Sequence, residues 1–102
     1  MIAENVKAEF NNLEVHMGKF SETRFKMKCN VTFNDQLLVM DGGKRVATMH
    51  ARNIGNVHLE NKAIRIAGLN FEIREDDDVS VVSGSIRLEL ANAKAWYEEL
   101  WG

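Results

Sequence analysis

Hydrophobic and polar residues alternate along most of this chain, and the alternation predicts strands. The cleanest run is Phe25, Met27, Cys29, Val31 and Phe33, interleaved with Lys26, Lys28, Asn30 and Thr32. Successive side chains of a strand point to opposite faces, so this is a half-buried strand with one wet face. A longer pattern from Ala63 to Leu90 predicts a hairpin with a glycine in each arm. Ile64 and Ile66 alternate, the phase slips, and Leu69, Phe71 and Ile73 resume. Val79 and Val81, a slip, then Ile86, Leu88 and Leu90 mirror this on the return. With Arg74 to Asp78 as the loop, Ile73 faces Val79 and Phe71 faces Val81. The same register sets Gly68 against Gly84, Ile66 against Ile86 and Ile64 against Leu88. A one-residue slip moves the apolar set to the other face, and glycine is the usual residue at a bulge or bend. The expectation is a ribbon bent at Gly68 and Gly84, serving two packing surfaces and aiming its acidic tip beyond the bend.

Residues 2–17 fit a helical stripe through Ile2, Val6, Phe10 and Leu13, and fit a hairpin better. A turn at Asn11-Asn12 pairs Phe10 with Leu13, Ala8 with Val15 and Val6 with Met17 on one face, and Asn tolerates the positive φ such turns need. Pairing across Ser21 to Thr23 then sets Met17 against Met27, Val15 against Cys29 and Leu13 against Val31. Leu37 to Met40 is apolar on both faces and predicts a strand covered on each side. Asp41-Gly42-Gly43-Lys44 predicts a tight turn. A loop at Asn53-Ile54-Gly55 sets Met49 against Leu59 and Ala51 against Val57, and a turn at Asn61-Lys62 sets Leu59 against Ile64 and Val57 against Ile66. Asn92 is placed to cap a terminal helix whose apolar face carries Ala93, Trp96, Tyr97, Leu100 and Trp101, with Lys94 and Glu98 on its wet side. The fold class is therefore mainly β (α+β). An antiparallel meander of seven or eight strands forms a curved sheet or small, partly open barrel, with a C-terminal helix packed on it.

Composition narrows the function classes. The 102 residues suit one domain, 1–102, and the absence of proline marks no linker. A net charge of −2 argues against a surface built to grip a nucleic-acid backbone. The single Cys29 allows no internal disulfide and fits a reducing compartment, the cytoplasm or a virion. No apolar run approaches the roughly 20 residues of a membrane span, and the charged Glu4, Lys7 and Glu9 leave no signal-peptide core.

Candidate chemistry follows from the predicted register. It places His50 opposite His58 and His58 opposite Arg65, with Arg52 and Asn56 one step along. Such a row suits a phosphate or carboxylate; its alternative is an ordinary solvated face. A third ligand for a metal is lacking, and no cofactor is implied. Lys19, Arg24, Lys26 and Lys28 form a basic stretch that, with Phe20 as a stacking ring, defines a single-stranded nucleic-acid hypothesis. Glu75, Asp76, Asp77 and Asp78 form an acidic tip aimed at a basic patch on a partner, or a plain solvated turn. The acidic and basic stretches of neighbouring copies offer a head-to-tail contact. Trp96, Leu100 and Trp101 read as the face that docks the helix on its own sheet, or as a partly exposed aromatic patch that anchors an interface; both hold if Trp96 packs inward and Trp101 stays at the rim. Cys29 paired with His16 is disfavoured, since the strand that buries one turns the other away. No catalytic signature is present.

These features point to a small non-catalytic module that binds another protein, of the character of a phage or plasmid accessory protein: an inhibitor of a host factor or a virion component. An anion- or nucleotide-binding barrel using His50, His58 and Arg65 is the alternative, and nucleic-acid binding through 19–28 ranks third.

Overall fold

The computed structural model describes the whole chain, Met1 to Gly102. Seven strands form in order: β1 (Ile2–Met17), β2 (Phe25–Asn34), β3 (Leu37–Asp41), β4 (Arg45–His50), β5 (Ile54–Glu60), β6 (Ala63–Glu75) and β7 (Asp78–Glu89). A 3-10 turn at Ala51–Asn53 joins β4 to β5, and helix α1 (Ala93–Leu100) ends the chain. Every pairing is antiparallel, in the order β4-β3-β2-β1-β7-β6-β5. An added β4–β6 pairing closes six of the strands into a barrel, with β5 left as a flap on β6. The length of β6 makes this division: Ala63 to Gly68 pairs with β5, and Glu72 to Glu75 pairs with β4.

The core lies inside the barrel. Phe10 and Phe25 stack with centroids 4.4 Å apart, and Phe71 tilts against Phe10 at 6.4 Å. Leu38, Met40, Met49, Ile64, Ile66, Ile73, Ile86 and Leu88 fill the space around them. Each such side chain contributes about 1.5–3 kcal/mol by leaving water. Helix α1 covers β5 and the start of β6, burying Ala93, Trp96 and Leu100. Asn92 holds the N-cap position without a side-chain capping bond.

Several pairings hold as expected: Gly68–Gly84, Ile66–Ile86, Ile64–Leu88, Leu59–Ile64, Val57–Ile66 and His58–Arg65. The turn after β3 also forms, with Asp41 Oδ1 accepting from Gly43 N at 2.8 Å.

The first hairpin does not form. Residues 2–17 are one strand, and Asn12, at φ 54°, sits in a register break against β7 rather than in a turn. Asn5, at φ 53°, marks a second break against β2. The residue type that tolerates a hairpin turn serves equally well in a bulge. Each bulge resets the phase, so Val6, Ala8, Phe10 and Leu13 all stay buried. The β1–β2 register moves as a consequence: Phe10 faces Phe25 and Val6 faces Cys29, because Asn11 to Met17 pair with β7 instead.

Nor do β4 and β5 pair. The 3-10 turn redirects the chain, and β4 meets β6, with Ala47 opposite Ile73, where Met49 was expected to face Leu59. On β3 only Leu38 and Met40 are buried, while Leu37 and Val39 point outward, so this strand is covered on one face.

The long hairpin turns tightly at Asp76-Asp77, with Glu75 opposite Asp78 and Phe71 opposite Val82. Its slip is in one arm only. Asn70, at φ 50°, bulges β6 and returns Phe71 and Ile73 to the face of Ile64 and Ile66, whereas β7 alternates unbroken through Ser80, Val82, Ile86 and Leu88. Both halves serve one core, and Val79 and Val81 lie on the outer face. The glycines contribute clearance. A Cβ on Gly68 would run into Met49 and Phe71, and one on Gly84 would sit 2.7 Å from Leu13 Cδ2 and 2.9 Å from the Asn11 carbonyl oxygen.

Candidate functional site

The outer surface over β5, β6, β7, β1 and β2 carries one continuous cross-strand row. His58 lies opposite Arg65, Arg65 opposite Arg87, Arg87 opposite Glu9 and Glu9 opposite Lys26. Directly opposed like charges destabilise a sheet, so Arg65 and Arg87 call for an anion between them. Glu60 supplies it. Its Oε2 accepts from Arg65 Nε at 3.1 Å and its Oε1 from Arg87 Nε at 3.1 Å, while Glu89 accepts from Arg87 Nη1 at 3.3 Å. Hydrogen bonds from Arg65 and then Arg87 hold the Glu60 carboxyl below the usual carboxylate range. The same contact to Glu60, with Glu89 second, raises the pKa of Arg87.

Part of the expected anion row is therefore present, His58 beside Arg65, and its arginines are neutralised from within the chain. His50 stands apart from it. It ends β4 opposite Leu37, and its Nδ1 accepts from Arg52 N at 3.2 Å to start the 3-10 turn. Because β4 and β5 are unpaired, His50 does not meet His58, and Arg52 belongs to the turn rather than to the row. Asn56 lies opposite Ala67 and is exposed. Glu60 and Arg87 are the partners that pattern reading missed. The signal was available: pairing Ile64 with Leu88 and Ile66 with Ile86 leaves Arg65 against Arg87, and two facing arginines require an acid.

The acidic tip divides into a bound part and a free part. Glu75 Oε2 accepts from Arg45 Nε at 2.7 Å across the β4–β6 pairing. Arg45 also bonds Glu22 in the β1–β2 loop, and its guanidinium lies 4.7 Å from the Phe25 ring centroid and 5.3 Å from that of Phe20. Bonds to Glu75 and Glu22 outweigh the effect of partial burial and raise the pKa of Arg45. The loop is tied further by Phe20 N, which donates to Ser80 Oγ at 3.1 Å, and Ser80 is 2% exposed. Gly18, at φ 103°, leaves no room for a Cβ against Ser80. Asp76, Asp77 and Asp78 remain exposed and make no ion pair.

The basic stretch is split by the fold. Lys19 lies in the loop near Asp78 and Ser80, and Arg24 is exposed just before β2. Lys26 and Lys28 point outward from β2, with Lys26 Nζ 3.8 Å from Glu9 and Lys28 opposite Lys7. Phe20, the expected stacking ring, is half-buried, edge-on to Phe25 at 5.6 Å and engaged with Arg45. Trp96 is fully buried and Trp101 is 45% exposed. Because α1 packs on β5 and the start of β6, Trp101 sits away from the Asp76-Asp77 turn at the other end of β6. The two expected protein contacts are separate surfaces.

Cys29 is buried, and desolvation followed by the nearby Asp41 pushes its thiol up to about 11. His16 points away from it and shares a 2.7 Å hydrogen bond with Ser83 Oγ. No three His, Cys, Asp or Glu side chains are grouped to hold a metal ion, and no helix is long and apolar enough to cross a membrane. The chain matches no protein-family model, no curated protein and no solved structure.

Proposed function

We propose that this chain is a small non-catalytic protein-binding domain that captures a basic partner with its acidic hairpin tip. One contrast carries the reading. Glu75 is bound to Arg45, whereas the next three carboxylates, Asp76, Asp77 and Asp78, are exposed and unpaired. Three adjacent like charges repel one another on a tight turn, and a cationic partner relieves that repulsion. The clasp at Arg45 and the bond to Ser80 fix the base of the turn, so little order is lost when a partner docks. Charge of this kind governs encounter rate and orientation, which suits an accessory protein that must find one target among many.

The test is binding to an array of basic peptides, with native protein compared to a variant carrying Asp76→Asn, Asp77→Asn and Asp78→Asn. The expected result is capture of Lys/Arg-rich sequences that weakens with salt and is lost in the variant. Equal capture by both proteins would reject the acidic tip as the contact.

A further inference from the structure

Backbone accounting leaves the outer edge of β5 open. β5 closes onto β6 through the two-residue turn Asn61-Lys62, which makes Glu60–Ala63 a hydrogen-bonded pair. Such pairs alternate along an antiparallel ladder, so His58–Arg65 and Asn56–Ala67 also exchange bonds. Val57 and Leu59 between them turn their N–H and C=O groups away from β6. No strand lies on that side, because β5 ends the sheet order and β4 pairs with β6 instead. Neither a loop nor a side chain takes up these groups. Sheets guard a free edge with Lys, Pro or a bulge, since its unpaired groups are a template for another strand. From Asn56 to Glu60 there is no Lys and no Pro, and the bulge between Ile54 and Asn56 comes before this stretch.

The register of this edge selects its occupant. A two-fold axis through His58, perpendicular to the sheet, lays β5 antiparallel on β5 of a second copy. Val57 of each copy then meets Leu59 of the other as a hydrogen-bonded pair, and the open groups of both residues are bonded in both directions. His58 meets His58 on the axis, and Asn56 meets Glu60. One edge serves both partners, as an isologous contact requires. The side chains agree with the backbone. Leu59, 38% exposed, gains Val57 as an apolar cross-strand neighbour, and the exposed Asn56 amide gains the Glu60 carboxylate. An unrelated extended peptide satisfies the backbone groups alone, whereas a second copy satisfies the side chains as well. The contact runs along one edge, so neither barrel wall has to be flat.

We propose that β5 is the seam of a symmetric dimer of two copies of the chain, joined edge to edge with His58 on the two-fold axis. The seam lies beside the start of β6 and the acidic tip at its end, so neither reading depends on the other.

Two measurements test it at about pH 8, where a free imidazole is uncharged. Sedimentation equilibrium up to hundreds of micromolar is expected to show native dimer, since a short edge makes a weak contact. Leu59→Pro removes an amide hydrogen that no group in the chain uses, and proline is tolerated on an open edge. It is expected to weaken association at least about tenfold, with circular dichroism showing the fold kept. Disulfide trapping reads the register. Facing Cα atoms of a non-hydrogen-bonded pair lie about 4.5 Å apart, within disulfide reach. On oxidation His58→Cys is expected to cross-link with itself. Asn56→Cys alone is not, and it links instead to Glu60→Cys in an equimolar mixture; the buried Cys29 stays out of the reaction. A native protein that stays monomeric throughout overturns the proposal, whether or not a peptide binds the edge. So does a dimer that folded Leu59→Pro leaves unchanged, or a His58→Cys chain that cross-links no faster than Asn56→Cys. If Leu59→Pro does not fold, the disulfide register decides alone.

Discussion

Arg45, the first residue of β4, and Glu75, the last residue of β6, are paired across the closing strands of the barrel, Nε to Oε2 at 2.7 Å. The same guanidinium holds Glu22 and covers the rings of Phe20 and Phe25. One side chain thus fastens β4, the end of β6 and the β1–β2 loop.

Replacing Arg45 by Ala therefore removes two charge-assisted bonds and a cation–π cover in one step. About 1–3 kcal/mol of stability is expected to go, read from urea unfolding. Arg45→Lys is expected to recover only part of it, since an ammonium cannot bridge two carboxylates in the guanidinium's fork geometry. Hydrogen exchange should show the loss concentrated at the Phe20 amide. An Arg45→Ala protein as stable as the native one, with that amide still protected, would contradict the clasp.

This clasp explains which parts of the fold were legible in the pattern. The pairings from Val57–Ile66 to Ile64–Leu88 join neighbours through tight turns, and local alternation fixes them. The β4–β6 pairing skips β5, and no local pattern announces it. Asn53-Ile54-Gly55 has the chemistry of a hairpin loop, yet the chain gains more by closing the barrel and removing an edge. In β1 the ambiguity was physical: Asn12 satisfies a turn and a bulge with the same positive φ. The candidate site divides on the same line. His58 and Arg65 meet because they lie in a local hairpin, and His50 is absent because its placement depended on the pairing that does not form.

The two hairpin glycines are expected to differ when substituted. At Gly84 an added methyl meets backbone, 2.9 Å from the Asn11 oxygen and 3.1 Å from the Asn12 oxygen. At Gly68 it meets the flexible end of Met49 and the edge of the Phe71 ring. Overpacking costs about 1–3 kcal/mol when neighbours must move. Gly84→Ala should fall at the upper end, and Gly68→Ala at the lower, because the end of the Met49 side chain can move aside. Thermal or urea unfolding of the two variants checks the order, and a milder effect at Gly84 than at Gly68 would show that β1 yields there.

Glu60→Gln removes the one carboxylate that bonds both Arg65 and Arg87. The variant should unfold at lower urea than native protein, and the gap should narrow as salt screens the exposed charges. The pH dependence has a definite sign. The folded carboxyl is held below its unfolded pKa, so its contribution is complete above the unfolded value and disappears as pH falls through the folded one. Acid titration of native and Glu60→Gln proteins should therefore converge at low pH. A gap unchanged by both salt and acid would exclude the ionic account.

Cys29 gives the opposite sign at the alkaline end. Burial, with Asp41 nearby, raises the thiol from 9.0 to about 11, so between those values the folded chain keeps a proton that the unfolded chain releases. Stability is then undiminished below pH 9 and declines as pH rises toward 11. Cys29→Ala, which loses some packing at every pH, should show a shallower decline over this range. The same burial predicts slow thiol chemistry: at neutral pH a disulfide reagent such as dithionitrobenzoate should label native protein only after unfolding, since the thiolate is both scarce and covered. Rapid labelling of folded protein, or equal alkaline slopes in native and Cys29→Ala chains, would place the thiol nearer to solvent than its 3% exposure allows.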